Sequence, residues 1–125
     1  MSALAEDPPD TAEGEVNEVR LVGRVGADPE EKVLPSGDSL WTFRITVGRP
    51  PGKGPGREKA QRSDSLDCAV WSGRPRRTVA TWSKGDLVEV TGSVRKRFFQ
   101  AGGTTASRVE VEVSRARVIR RAATG

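Results

Sequence analysis

The chain has 125 residues, of which 34% are hydrophobic and 30% charged, a length that suits one modest domain rather than two. A single cysteine, Cys68, excludes an internal disulfide and a cysteine-ligated metal site. The absence of histidine removes Ser-His and Cys-His catalysis and most zinc chemistry. No apolar run approaches the roughly 18 residues needed to cross a bilayer, and the acidic N-terminus lacks a signal-peptide core. The expectation is a soluble cytoplasmic protein with no membrane partner and no cofactor.

Charge is laid out unevenly. Residues 1–18 carry six acids and no base, so the rest holds eleven acids against all 21 bases, a balance of +10. Arginine far outnumbers lysine among those bases, and its planar fork both grips phosphate and stacks on bases. Such a domain is expected to take a polyanion as partner.

Residues 1–15, with Pro8, Pro9, Gly14 and five of the acids, have almost nothing to bury and read as a disordered tail. Val19, Leu21 and Val25 then alternate with Arg20 and Arg24, which predicts a first strand with one wet face. Turn chemistry follows at Ala27–Glu30 and Leu34–Gly37, and Lys32 to Leu34 can extend the sheet briefly between them. Trp41, Phe43, Ile45 and Val47 alternate with Thr42, Arg44 and Thr46 to make the clearest strand. It stops at a loop rich in glycine and proline, Gly48 to Gly56, which carries Arg49 and Lys53 and runs on through Arg57, Lys59 and Arg62. Leu66, Cys68 and Val70 form a third apolar stripe.

Gly73-Arg74-Pro75 predicts a helix start, with Ser72 or Gly73 as cap and Pro75 in the first turn. Val79 and Trp82 would face the core, and Ser83–Asp86 would end the helix. Val88, Val90, Gly92 and Val94 line one face of a fourth strand, and Ala101-Gly102-Gly103 make a turn. Val109, Val111 and Val113 begin a fifth strand whose phase slips to Ala116 and Val118, so a bulge is expected near Ser114. Three strands, a short helix and two strands match an all-β, five-stranded antiparallel Greek-key barrel of the OB type; a small β-sandwich is the competing architecture.

The residues that break the apolar phase are the candidates for function. With Leu66, Cys68 and Val70 inward, Trp71 points out with Asp67 and Ala69. With Val88, Val90 and Val94 inward, Arg95, Arg97 and Phe99 share the opposite face. Two arginines and an aromatic ring on one strand face form a phosphate clamp beside a base-stacking platform. Arg44, flanked by Thr42 and Thr46, is placed to reach phosphate or to be an ordinary exposed arginine. Arg49, Lys53, Arg57, Lys59 and Lys96 would add diffuse attraction. Trp41 and Trp82 are expected in the core. Asp64 and Asp67, the close acid pair near a strand, are a weak signal for Mg²⁺ and hence for a metal-dependent nuclease; no metal site is expected.

Several spaced strings in the chain also resemble one family in order. They are NEVRLVGRVGADPE (Asn17–Glu30), LPSG (Leu34–Gly37), LDCAVW (Leu66–Trp71), SKGD (Ser83–Asp86) and EVTGSVRKRFF (Glu89–Phe99). Over residues 16–119 the chain is similar to the bacterial single-stranded DNA-binding proteins. The resemblance implies an OB fold, a homo-oligomer that is usually a tetramer, and sequence-independent binding of single-stranded DNA in replication, repair or recombination. It places Trp71 and Phe99 where the family carries base-stacking aromatics. Two other such positions are unmatched, one falling on Ser65 and one near Pro50 and Pro51. The family's acidic C-terminal tip has no counterpart in a chain closing with Val118–Gly125, so recruitment of repair enzymes through it is not expected. An OB module that mainly contacts proteins, of primosome type, and an RNA-binding OB module are the rival readings.

Overall fold

The computed structural model describes residues 14–50, 62–71 and 73–123. The acidic tail before Gly14, the loop residues Lys53, Arg57 and Lys59, and the alternative cap Ser72 lie outside the described residues. Seven elements follow one another: β1 (Val19–Val25), β2 (Glu30–Val33), β3 (Ser39–Gly48), β4 (Ser63–Val70), α1 (Arg74–Val79), β5 (Leu87–Ala101) and β6 (Thr104–Arg120). β1 pairs with both β5 and β3, so the ladder β1-β5-β6-β4-β3 closes on itself into a five-stranded barrel, with the short β2 hung on β3. This is the OB barrel, with its helix between the third and fourth barrel strands. Its ladders are antiparallel apart from β4–β6, where Cys68 and Val111 meet in parallel.

Local sequence explains each element. Gly73 caps α1 with φ at 81°, a conformation open to glycine, and a proline enters the first turn. Gly102 and Gly103, with φ of 61° and 87°, form the two-residue turn of the β5–β6 hairpin, because paired positive φ matches the twist of the strands. Gly92 is required by close approach: a Cβ there would lie 2.0 Å from the carbonyl oxygen of Glu112. The expected bulge is at Ser114, which is skipped as Thr91 pairs with Arg115 and Gly92 with Val113. A second skip passes over Ile119 between the Leu87–Arg120 and Val88–Val118 pairs.

Val25, Ile45, Val70, Val79, Val88 and Val90 fill the barrel, and Phe43 meets Trp82 edge-on with ring centroids 5.2 Å apart. Three expectations about the core need correction. Val94 keeps the inward phase but is 43% exposed, because β1 pairs with β5 only as far as Gly92 and leaves Val94 without that strand beside it. Ala69 has the outward phase yet is buried, since β6 packs alongside β4 and covers it. Trp82 is buried as expected, but from the turn after α1, which ends at Val79. Trp41 is half-buried and packs on the edge of the core.

Asp86 locks the end of the barrel. This buried carboxylate accepts backbone N–H bonds from Ser83 at 2.9 Å and Ala122 at 2.7 Å, and pairs with Arg121 at 3.1 Å. Burial by itself would raise its pKa, but the two backbone donors and the guanidinium outweigh it and hold the carboxyl below its ordinary value. No helix among the described residues is long and apolar enough to cross a membrane.

Candidate nucleic-acid interface

The β5–β6 hairpin presents one continuous outer face, on which Ser93, Arg95, Arg97 and Phe99 of β5 stand beside Glu112, Glu110, Arg108 and Ala106 of β6. Trp71, immediately after β4, comes against this face. The Arg97 guanidinium lies over the Trp71 ring with its central carbon 5.5 Å from the centroid, and Arg108 lies 6.0 Å from the centroid of Phe99. Buried Glu110 holds both cations, Arg97 at 3.0 Å and Arg108 at 3.6 Å. Trp71 is half-buried rather than simply outward, and its indole Nε1 is buried without a partner. Phe99 is 45% exposed.

A concavity of about 550 Å³ next to this cluster contains Arg44, Asp67, Arg108 and Glu110. The structure therefore brings Arg44 to the same side of the barrel as Arg97 and Phe99. Each predicted phosphate-binding arginine within the described residues is also held by an acid. Arg44 pairs with Asp67 at 3.1 Å, Arg95 with Glu112 at 2.7 Å, and Arg49 with Asp64 through two bonds of 2.9 and 2.8 Å. The hydrogen bond from Arg49 holds the Asp64 carboxyl below its usual range. These partners account for Asp64 and Asp67, and no cluster of potential metal ligands occurs among the described residues. Arg49 sits at the root of the basic loop, its backbone N–H bonded to the Arg62 carbonyl. Lys96 is on the opposite face of the hairpin, its Nζ 5.7 Å from the Phe98 ring centroid.

Sequence reasoning missed Phe98, Arg108 and Glu110. The signal for Arg108 was available: counting back equally from the Gly102–Gly103 turn puts it opposite Arg97. The same count puts Glu110 opposite Arg95, but its burial carried no signal, because alternation leaves it on a wet face and the side chains stacked over it bury it. Cys68 lies at the floor of the same concavity, and burial pushes its thiol up to about 12, so it is no nucleophile.

The closed barrel defines an OB-fold protein, one outer face of which carries two aromatic rings, Trp71 and Phe99, among paired arginines. Residues 16–119 match the Single-strand binding protein family. The chain belongs to that family. It is 38% identical over 97 residues to a protein of Listeria innocua named single-stranded DNA-binding protein 3, covering 77% of this chain and 57% of the relative. It is 35% identical over 86 residues to the single-stranded DNA-binding protein of Oceanobacillus iheyensis, covering 68% and 51%. The chain thus spans about half the length of these curated relatives. A solved structure described as a Plasmodium falciparum SSB complex with ssDNA superposes with a TM-score of 0.69 at 22% identity, over 88% of this chain and 98% of that one, a likeness of fold.

Proposed function

We propose that the chain is a non-catalytic single-stranded DNA-binding protein that coats exposed strands largely independently of sequence, serving replication, repair or recombination. The observation that carries this reading is the pair of rings, Trp71 and Phe99, on one hairpin face, each beside a guanidinium oriented by the same buried carboxylate. Bases would stack on the rings while Arg44, Arg95 and Arg97 reach the phosphates, and no step requires a metal. Family membership supports the same reading.

The assembly on this reading is a symmetric homo-oligomer, most simply a tetramer. Val94, Phe98 and Val109, which are 43%, 67% and 57% exposed on the other face of the hairpin, supply apolar area for contact between copies. Titration with oligo(dT) of several lengths, with mass followed by light scattering, tests both statements. The reading requires binding with defined stoichiometry to an assembled protein. Binding no tighter than that of an unrelated basic protein would overturn the first statement, and a monomer at micromolar concentration the second.

A further inference from the structure

The acids at the head of the chain have no place in stacking or phosphate binding. Residues 1–13 carry Glu6, Asp7, Asp10 and Glu13 and no base, and Glu15 and Glu18 extend the run to the start of β1. Asn17 fixes where this segment joins the barrel. Its side-chain amide donates to the Val94 carbonyl at 2.8 Å and its oxygen accepts from the Val94 N–H at 2.8 Å, standing in for the strand pairing that ends at Gly92. Asn17 and Glu18 line a concavity of about 530 Å³ together with Trp71, Ser93, Arg95 and Glu112. The acidic segment is therefore attached at the rim of the candidate nucleic-acid interface, against the residue that precedes Arg95.

That interface can receive carboxylates as well as phosphates. Arg44, Arg95 and Arg97 hydrogen-bond to Asp67, Glu112 and Glu110 through Nε alone, and their Nη groups donate to no acceptor among the described residues. The Nη ends are where a further anion first meets these guanidiniums, and a carboxylate offers them the same charged oxygens as a phosphate. Reach is sufficient: Glu6 to Glu13 can span up to roughly 25 Å at about 3.5 Å per residue, against roughly 20 Å of strand face from Ser93 to Phe99. Attachment at Asn17 also gives the acids an effective concentration on the order of millimolar at this face. Contacts too weak to form between separate molecules can then be populated within one chain.

We propose that the acidic segment of residues 1–13 docks along the face of Arg95, Arg97 and Arg44 and competes there with single-stranded DNA, so that a strand binds only by displacing it. The inference rests on the single-strand reading and adds regulation to that same site. Apparent affinity for DNA falls in proportion to the fraction of molecules whose face is open, so a segment docked about four-fifths of the time lowers it about fivefold. Docking joins exposed charges, which salt screens. The penalty therefore shrinks as salt rises.

The test compares the unaltered full chain with the variant Glu6→Gln/Asp7→Asn/Asp10→Asn/Glu13→Gln, which removes charge and keeps length. Both are titrated with oligo(dT) over a range of salt. The variant should bind about fivefold more tightly at low salt, and the two should agree within about 1.5-fold at high salt. A second measurement locates the segment in the free protein. Leu4→Cys carrying a nitroxide puts a paramagnetic centre on it, while the native thiol of Cys68 is buried and escapes labelling. NMR signals of Trp71 and of residues 93–99 should broaden selectively at low salt and recover when oligo(dT) is added. Equal affinities at every salt, an advantage of the variant that persists undiminished at high salt, or broadening that avoids the hairpin face would each overturn the proposal and leave stacking at Trp71 and Phe99 standing. Failure of both proteins to bind oligo(dT) at any salt would instead overturn the single-strand reading, and the competition with it.

Discussion

Arg97 covers the ring of Trp71 at 5.5 Å while its Nε donates to buried Glu110 at 3.0 Å, so a cation, an aromatic ring and an acid from three strand segments form one stacked unit. The carboxylate holds the guanidinium beside the indole. On the proposed single-strand reading, a base would meet a platform that is already ordered, which would reduce the entropy lost on binding.

Stacking and packing separate cleanly among the aromatic residues. Phe99→Ala and Trp71→Ala should each weaken oligo(dT) binding by roughly 1–3 kcal/mol with the fold retained. Trp82→Ala removes a buried ring from its edge-on contact with Phe43, and should instead lower unfolding free energy by roughly 3–5 kcal/mol. Fluorescence titration and chemical denaturation of the three variants check the division. Quenching of tryptophan emission on binding should come chiefly from Trp71 and fall sharply in its variant.

Ion pairs within the groove make phosphate compete with protein carboxylates. On the proposed reading Arg95 would exchange Glu112 for a phosphate, so Glu112→Gln should tighten binding at low salt and change it little where screening is strong. Arg95→Ala should weaken binding and reduce the salt slope by about 0.7. Titrations of both variants at several salt concentrations measure this directly, and an unchanged slope for Arg95→Ala would remove that residue from the contact set.

Acid should loosen the closed end of the barrel through Asp86. Its carboxyl is held below the ordinary value of about 3.9, so its stabilisation is fully present above that pH and is lost as pH falls through the lower folded value. Asp86→Asn keeps the shape but forfeits the charged acceptor, and should cost roughly 1.5–3 kcal/mol at neutral pH. The variant should also lose part of the acid dependence in thermal unfolding followed from pH 7 to pH 2. Parallel curves for the two proteins would refute the assignment.

Gly92→Ala should destabilise the hairpin although the backbone there is extended. The new Cβ would press on the Glu112 carbonyl at 2.0 Å, and backbone atoms on both strands would have to move. A cost of about 1–3 kcal/mol is expected from overpacking, read from denaturation. Gly102→Ala at the hairpin turn meets no atom within 4 Å and suffers only from its positive φ, so it should cost less.

Alternation marked most inward strand positions and the bulge at Ser114, failing at Val94 and Ala69, and the Gly73–Pro75 signal marked the start of α1, because each depends on side-chain period or backbone freedom within a few residues. It also put Arg95, Arg97 and Phe99 on one face and Trp71 outward, since a period of two assigns sides without knowledge of neighbours. What lies beside that face was decided only when the barrel closed. The parallel meeting of β4 and β6 buries Ala69, and the hairpin brings Arg97 and Glu110 over Trp71. The same closure gathers Arg20, Arg74, Arg115 and Arg117, separated by up to 97 positions in the chain, around one concavity. Charge partners and burial of polar groups are properties of contacts distant in sequence, and no local pattern carries them.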